Sequence, residues 1–162
     1  MLRRLHPEPA ELEPAEAYGG LRLADLAPKD RPYVVCNMVA SVDGRVALQG
    51  RSGGLASELD RQVFHLLRTQ ADAVMAGTGT LRAERYGRLV RDPMLRERRA
   101  AEGLAPDPIA FVVSRTGNVP WDIPLFADPE SVVVVATSAG AAVPDVPARV
   151  HAVLPLDQVA DA

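Results

Sequence analysis

The chain has 162 residues, 48% of them hydrophobic and 24% charged, with a net charge of −3. That length suits one globular domain with a real core, and the absence of a basic tail argues against nucleic acid or an anionic membrane as partner. A single cysteine, Cys36, excludes an intrachain disulfide and a Cys-based zinc site. Its neighbours Val34, Val35 and Met38 predict a small buried hydrophobe rather than a reactive thiol. No stretch approaches the roughly 18 apolar residues of a membrane span. The N-terminal MLRRLHPEPAELEP has arginines with no apolar run behind them, so a reducing cytoplasm is the expected setting.

Residues 1–31 carry Pro7, Pro9, Pro14 and Pro28 among scattered acids and read as an arm over the surface, with one short helical turn around residues 11–17. The remainder, 32–162, reads as one domain. Residues 32–40 (PYVVCNMVA) are β-branched and nearly all apolar, as expected of a strand buried on both faces. Ser41-Val-Asp-Gly44 breaks that run with turn chemistry, and the glycine-rich stretch 49–54 follows. Ser57 and Asp60 mark a helix start, with Val63, Phe64, Leu67 and Ala71 on its core face and Arg61, His65 and Arg68 on another.

Residues 71–77 (ADAVMAG) read as a second buried strand running into Gly77-Thr-Gly-Thr80. Asp92 and Pro93 start a further helix that Gly103 ends. Residues 109–113, 132–136 and 149–154 are three more strands, and 156–162 reads as the first turns of a helix. Strands alternating with helices define an α/β domain with a largely parallel, covered sheet. No GxGxxG follows the first strand, which argues against a dinucleotide-binding doubly wound fold.

Chemistry concentrates after the 71–77 strand. Ligands of open α/β sheets bind outside the carboxyl ends of strands, where glycines let backbone N–H groups approach an anion. Gly77 and Gly79 fit that use, and fit equally a glycine turn capped by threonine. Of the 18 basic residues only Lys29 is lysine. Arg82, Arg85, Arg88 and Arg91 recur every third residue, as phosphate-binding forks beside the turn or as a solvated face. Arg96, Arg98 and Arg99 read as the solvated face of the next helix. Asp43 would share the sheet edge with Thr80 if their strands are parallel, or serve only its own turn. His65 reads as a general acid or base, or as a packed or surface histidine. His6, His65 and His151 have no metal-ligand spacing, so no metal is expected.

Taken together, these motifs resemble the pyrimidine reductase family of riboflavin biosynthesis. The matching runs are Ala40-Ser-Val-Asp-Gly44, Gly50-Arg-Ser52, the RQVFHLLR of residues 61–68 and the ADAVMAGTGTLRA of residues 71–83. The resemblance covers roughly residues 32–138. It implies a dihydrofolate-reductase-like fold, with a mixed, mostly parallel sheet flanked by helices, bound NADPH, and a homodimer. The implied reaction is hydride transfer to the ribosylamino group of a phosphorylated pyrimidine. By position, Val39, Ala40, Gly54, Gly77, Thr80, Glu84, Ser114 and Arg115 would contact the cofactor, with Glu84 as the candidate catalytic group. An arginine such as Arg115 suits a ribose 2′-phosphate. Ser52, Arg68, Arg88 and Arg91 would contact the substrate, the arginines holding its 5′-phosphate.

Three departures accompany the match. Glu84 stands where the family has Asp, and Gly54 replaces a bulkier residue. The family's glycine-rich E-G-G-P motif, which cradles cofactor phosphates, does not occur before Ala162, so the resemblance implies a fold cut off before its second half. A dihydrofolate- or pteridine-type reductase and a non-catalytic nucleotide-binding subunit are the alternative readings.

Overall fold

The computed structural model describes residues 1–51, 54–138 and 142–155. Two compact units divide the chain, Met1–Ala71 and Asp72–Ala162.

In the first unit, β1 (Leu2–Arg4) and β2 (Ala10–Leu12) form an antiparallel pair, followed by α1 (Pro14–Tyr18), a 3-10 turn at Leu23–Leu26 and α2 (Glu58–Gln70). Ser57 caps α2 by accepting from the Asp60 N–H at 3.1 Å, as the sequence predicts. The end of α2 holds the N-terminal elements: Gln70 accepts from the Arg22 N–H at 3.1 Å and donates to the Tyr18 carbonyl. Residues 1–31 therefore form more than the expected surface arm with one helical turn. The expected core face of α2 is only half-buried at Val63, Phe64 and Leu67, while Thr69 and Gln70 are buried.

The expected strand at 32–40 does not form. These residues adopt no regular structure, and Val34 and Met38 stand 72% and 69% exposed. An apolar run becomes a strand only when neighbours take up its N–H and C=O groups. Among the described residues of this unit the only paired strands are β1 and β2, which pair with each other. Cys36 is correspondingly exposed, not buried.

The second unit is built on a four-stranded parallel sheet in the order β3 (Ala73–Gly77), β4 (Ile109–Ser114), β5 (Val132–Thr137), β6 (Arg149–Pro155). Helices α3 (Thr78–Glu84), α4 (Pro93–Ala101) and α5 (Pro124–Ala127) lie in the connections. The four strands fall where the sequence places them. Alternation along β4 and β5 turns Ala110, Val112, Val133 and Val135 into one core with Leu81, Leu125 and Phe126. Asp92 caps α4 by accepting from the Met94 N–H at 2.9 Å, and Gly103 takes the positive φ of +81° that ends it. The tail expected as a helix at 156–162 lies outside the described residues.

The arginines after α3 stitch this unit together. Arg82 donates to the carbonyl and side-chain oxygens of Asn118, at 3.0 and 3.1 Å, and Arg85 donates to Asp122. Arg88 forks onto Asp128 at 2.9 and 3.0 Å and pairs with Glu130 at 2.6 Å. Arg96, on α4, joins Glu130 and Asp107 at 3.0 and 3.2 Å. Asp107 also accepts from the Val90 N–H at 3.2 Å. Asp107 precedes β4 and Asp128 and Glu130 precede β5, so this network sits at the amino ends of the strands. Arg99 is not on a solvated face: it is 1% exposed and donates to the Ala105 carbonyl at 2.7 Å, closing the turn after α4.

Burial opposes ionisation of Asp128, but the Glu130 N–H and the Arg88 fork outweigh it and hold its pKa below the usual 3.8. Glu130 is held below 4.5 by hydrogen bonds from Arg96 and then Arg88. Carboxylates with depressed folded-state pKa values stabilise the fold fully above their unfolded values and lose that contribution as pH falls through the folded ones. Arg88→Ala, which leaves the half-buried Asp128 without its fork while Arg96 still holds Asp107 and Glu130, should cost about 1–3 kcal/mol at neutral pH. Urea melts at pH 7 and pH 3 should show the difference between wild type and variant shrinking at the lower pH.

Candidate functional site

The carboxyl edge of the second unit's sheet collects three polar strand ends. Gly77 pairs with Val113, and Ser114 with Thr137, so β3, β4 and β5 terminate at nearly the same level. From β3 the chain enters Gly77-Thr-Gly-Thr80, with Gly77, Gly79 and Thr80 exposed. From β4 it passes through a turn at Arg115 and Thr116 to Gly117, which has a φ of +73°. From β5 it reaches Ser138, whose hydroxyl donates to the Arg115 carbonyl at 2.6 Å.

Two features of this edge have no partner among the described residues. Neither Gly77 nor Gly79 has a positive φ, and a Cβ built on either meets nothing within 4 Å. Glycine in a helix costs roughly 1 kcal/mol relative to alanine, and neither backbone conformation nor internal packing explains Gly79 within α3. The space where its side chain would stand is open to an external body. At the end of the neighbouring strand β4, Ser114 is 2% exposed and its hydroxyl has no hydrogen-bond partner among the described residues. A buried, unpartnered hydroxyl costs on the order of 1–3 kcal/mol, so its persistence points to a partner from outside the chain. Those two observations are what a nucleotide cofactor would answer: open glycines for its phosphates and a hydroxyl for its sugar or base.

The sequence-derived residues divide between the units. Gly77, Thr80, Ser114 and Arg115 gather at the carboxyl edge, and Glu84 closes α3, half-buried. The Arg115 guanidinium is exposed and pairs with no carboxylate among the described residues. Arg88 is engaged by Asp128 and Glu130 at the amino ends of the strands, the edge opposite Ser114, so the expectation that the arginines converge at the strand end fails for it. Arg91 follows Val90, which is bonded to Asp107, and belongs to that same end; its side chain passes 3.6 Å from where a Cβ on Gly87 would lie. It is exposed and has no carboxylate partner among the described residues.

In the first unit, Val39 is half-buried, and Ala40 and Gly54 are exposed. Arg68 stacks over the Phe64 ring, 4.0 Å from its centroid. Asp43 serves its own turn, accepting from Ser41 and from Arg45 at 3.0 Å, and it follows no strand that could bring it to a sheet edge. The Ser41 hydrogen bond, aided by Arg45, holds its pKa below 3.8. His65 is exposed. Ser52 lies outside the described residues. Among the described residues, no cluster of His, Cys, Asp and Glu could hold a metal, and no helix is long and apolar enough to cross a membrane. Thr137 and Ser138 were not singled out by the sequence; only the β4–β5 register brings them to the edge.

A parallel α/β sheet with such an edge defines a ligand-binding α/β domain. The chain belongs to the RibD C-terminal domain family, whose model matches residues 32–157. It is 35% identical over 109 residues to the 2,5-diamino-6-ribosylamino-4(3H)-pyrimidinone 5′-phosphate reductase of Archaeoglobus fulgidus, covering 67% of this chain and 49% of that one. It is 33% identical over 107 residues to the riboflavin biosynthesis protein RibD of Mycobacterium tuberculosis, covering 65% and 30%. Its fold matches the crystal structure of a pyrimidine reductase-like protein from Corynebacterium diphtheriae with a TM-score of 0.66 at 24% identity, over 91% of this chain and 66% of that one. The α/β architecture is thus that of the pyrimidine reductases, as the sequence motifs imply. The chain spans about half the length of the archaeal relative.

If an external ligand explains the open glycine, Gly79→Ala should separate stability from binding. The variant should melt no lower than wild type, and up to about 1 kcal/mol more stable. Its affinity for NADPH should fall. An equal affinity by calorimetry would remove Gly79 from the site.

Proposed function

We propose that this chain carries the cofactor-binding part of an NADPH-dependent reductase acting on a ribosylaminopyrimidine 5′-phosphate, the substrate class in the names of its relatives. The observation that carries this reading is the carboxyl edge itself, where open glycines at 77 and 79 stand beside the buried, unpartnered hydroxyl of Ser114. NADPH, when bound, supplies the hydride that turns a ribosylamino group into a ribitylamino group.

The protein's own residues bind and orient. Backbone at Gly77 and Gly79 admits phosphate without a clash, and Thr80 adds a hydroxyl on the same turn. Ser114 offers its hydroxyl from a fixed, buried position, and Arg115 offers a fork that matches a ribose 2′-phosphate. Glu84, one helical turn beyond Thr80, is the candidate acid–base group. Val39, Ala40 and Gly54 as cofactor contacts, and Ser52 and Arg68 as substrate contacts, carry over by position alone. Arg88 and Arg91 carry over as substrate-phosphate contacts by position too; both lie toward the amino ends of the strands, where three carboxylates surround Arg88 and none pairs with Arg91 among the described residues. The resemblance also implies a homodimer, and the single cysteine suits a reducing cytoplasm.

A lost charge-assisted bond is worth about 1.5–3 kcal/mol, so Arg91→Ala in the active protein should raise KM for the phosphorylated pyrimidine roughly tenfold or more, with kcat nearly unchanged. The comparison substrate is dihydrofolate: turnover of dihydrofolate in place of the pyrimidine would favour a pteridine reductase. Failure of NADPH to bind at millimolar concentration would reject the reductase reading.

A further inference from the structure

The β4–β5 ladder ends with Ser114 opposite Thr137, both 2% exposed. Beyond that pair the two strands have no ladder partner to hold them together. The next residues are nevertheless joined, because the Ser138 hydroxyl donates to the Arg115 carbonyl at 2.6 Å. This side-chain bond, spanning 23 residues of sequence, takes the place of the missing ladder bond.

The same turn is held from its other side. Arg115 and Thr116 lead into Gly117 at a φ of +73°, and Arg82 clamps Asn118 through both its carbonyl and its side-chain oxygen. Arg115 therefore has its carbonyl held by Ser138, within a turn that Arg82 clamps at Asn118, and its guanidinium has no carboxylate partner among the described residues. An arginine so placed is preorganised for an oxyanion, and its fork fits a phosphate.

We propose that Ser138 is a positioning residue: by fixing the Arg115 backbone it makes the carboxyl edge select a nucleotide carrying a 2′-phosphate on its adenosine ribose over one without. The inference rests on the reading of this edge as the NADPH site. Ser138 acts through Arg115 rather than by touching the reacting atoms. The bond uses the only hydroxyl proton of Ser138, so the donor is committed to Arg115.

Calorimetric titration of the full chain with adenosine 2′,5′-bisphosphate and with adenosine 5′-monophosphate tests this. Wild type should prefer the bisphosphate, and Arg115→Ala should abolish the preference. Ser138→Ala should weaken bisphosphate binding roughly three- to tenfold, the worth of one hydrogen bond, while leaving the monophosphate affinity and the melting temperature near wild type. Ser138→Thr, which keeps the hydroxyl, should restore the preference. In the Arg115→Ala background, Ser138→Ala should change nothing further. An unchanged preference in Ser138→Ala, or an equal loss for both probes, overturns the proposal while leaving the nucleotide site standing. Absence of binding of either probe to wild type overturns the site and the proposal together.

Discussion

A run of arginine contacts holds the second unit in shape. Arg82 on Asn118, Arg85 on Asp122 and Arg88 on Asp128 follow one another at three-residue spacing. They bind α3 and the segment after it to the chain that returns from the end of β4 to the start of β5. Arg88 matters most, because its fork onto Asp128 is largely shielded from water and Arg96 closes the network through Glu130. Exposed pairs such as Arg85–Asp122 add little on their own. Their geometry nonetheless fixes which residues reach which edge of the sheet.

That division of labour separates support from binding. Carboxylates gather before β4 and β5, at the amino ends, and engage Arg88 and Arg96 there. At the carboxyl ends the groups are glycines, hydroxyls and Arg115, and no carboxylate pairs with that arginine among the described residues. The core of Leu81, Val112, Val133, Val135 and Phe126 lies between the two ends and makes them rigid. On the proposed reading, an anionic nucleotide would meet a complementary surface at the carboxyl end and a largely neutralised one at the other.

The sequence announced the parts whose causes are local. Valine-rich strands 109–113 and 132–136, the Ser57 and Asp92 caps and the Gly103 stop depend on neighbours within a few residues, and all of them stand where expected. The roles of the arginines did not show, because Asn118, Asp122 and Asp128 lie 36 to 40 residues away along the chain. Spacing alone cannot distinguish a phosphate cluster from a series of internal ties. Residues 32–40 carry every local mark of a strand, yet a strand is a shared structure and its partners are not written in its own residues. Ser138 failed to show for the same reason as the arginines: its partner is 23 residues away, and a lone serine after a strand carries no pattern.

The central claim is that the carboxyl ends of β3, β4 and β5 form a dinucleotide site. Titration of NADP+ into isotopically labelled protein, followed amide by amide, tests it most directly. The account predicts saturable shifts centred on Gly77–Thr80, Ser114–Arg115 and Thr137–Ser138, with Arg88 and Glu130 at the opposite edge unmoved. Shifts centred on Arg88, Asp107 and Glu130, with the three strand ends silent, would contradict it.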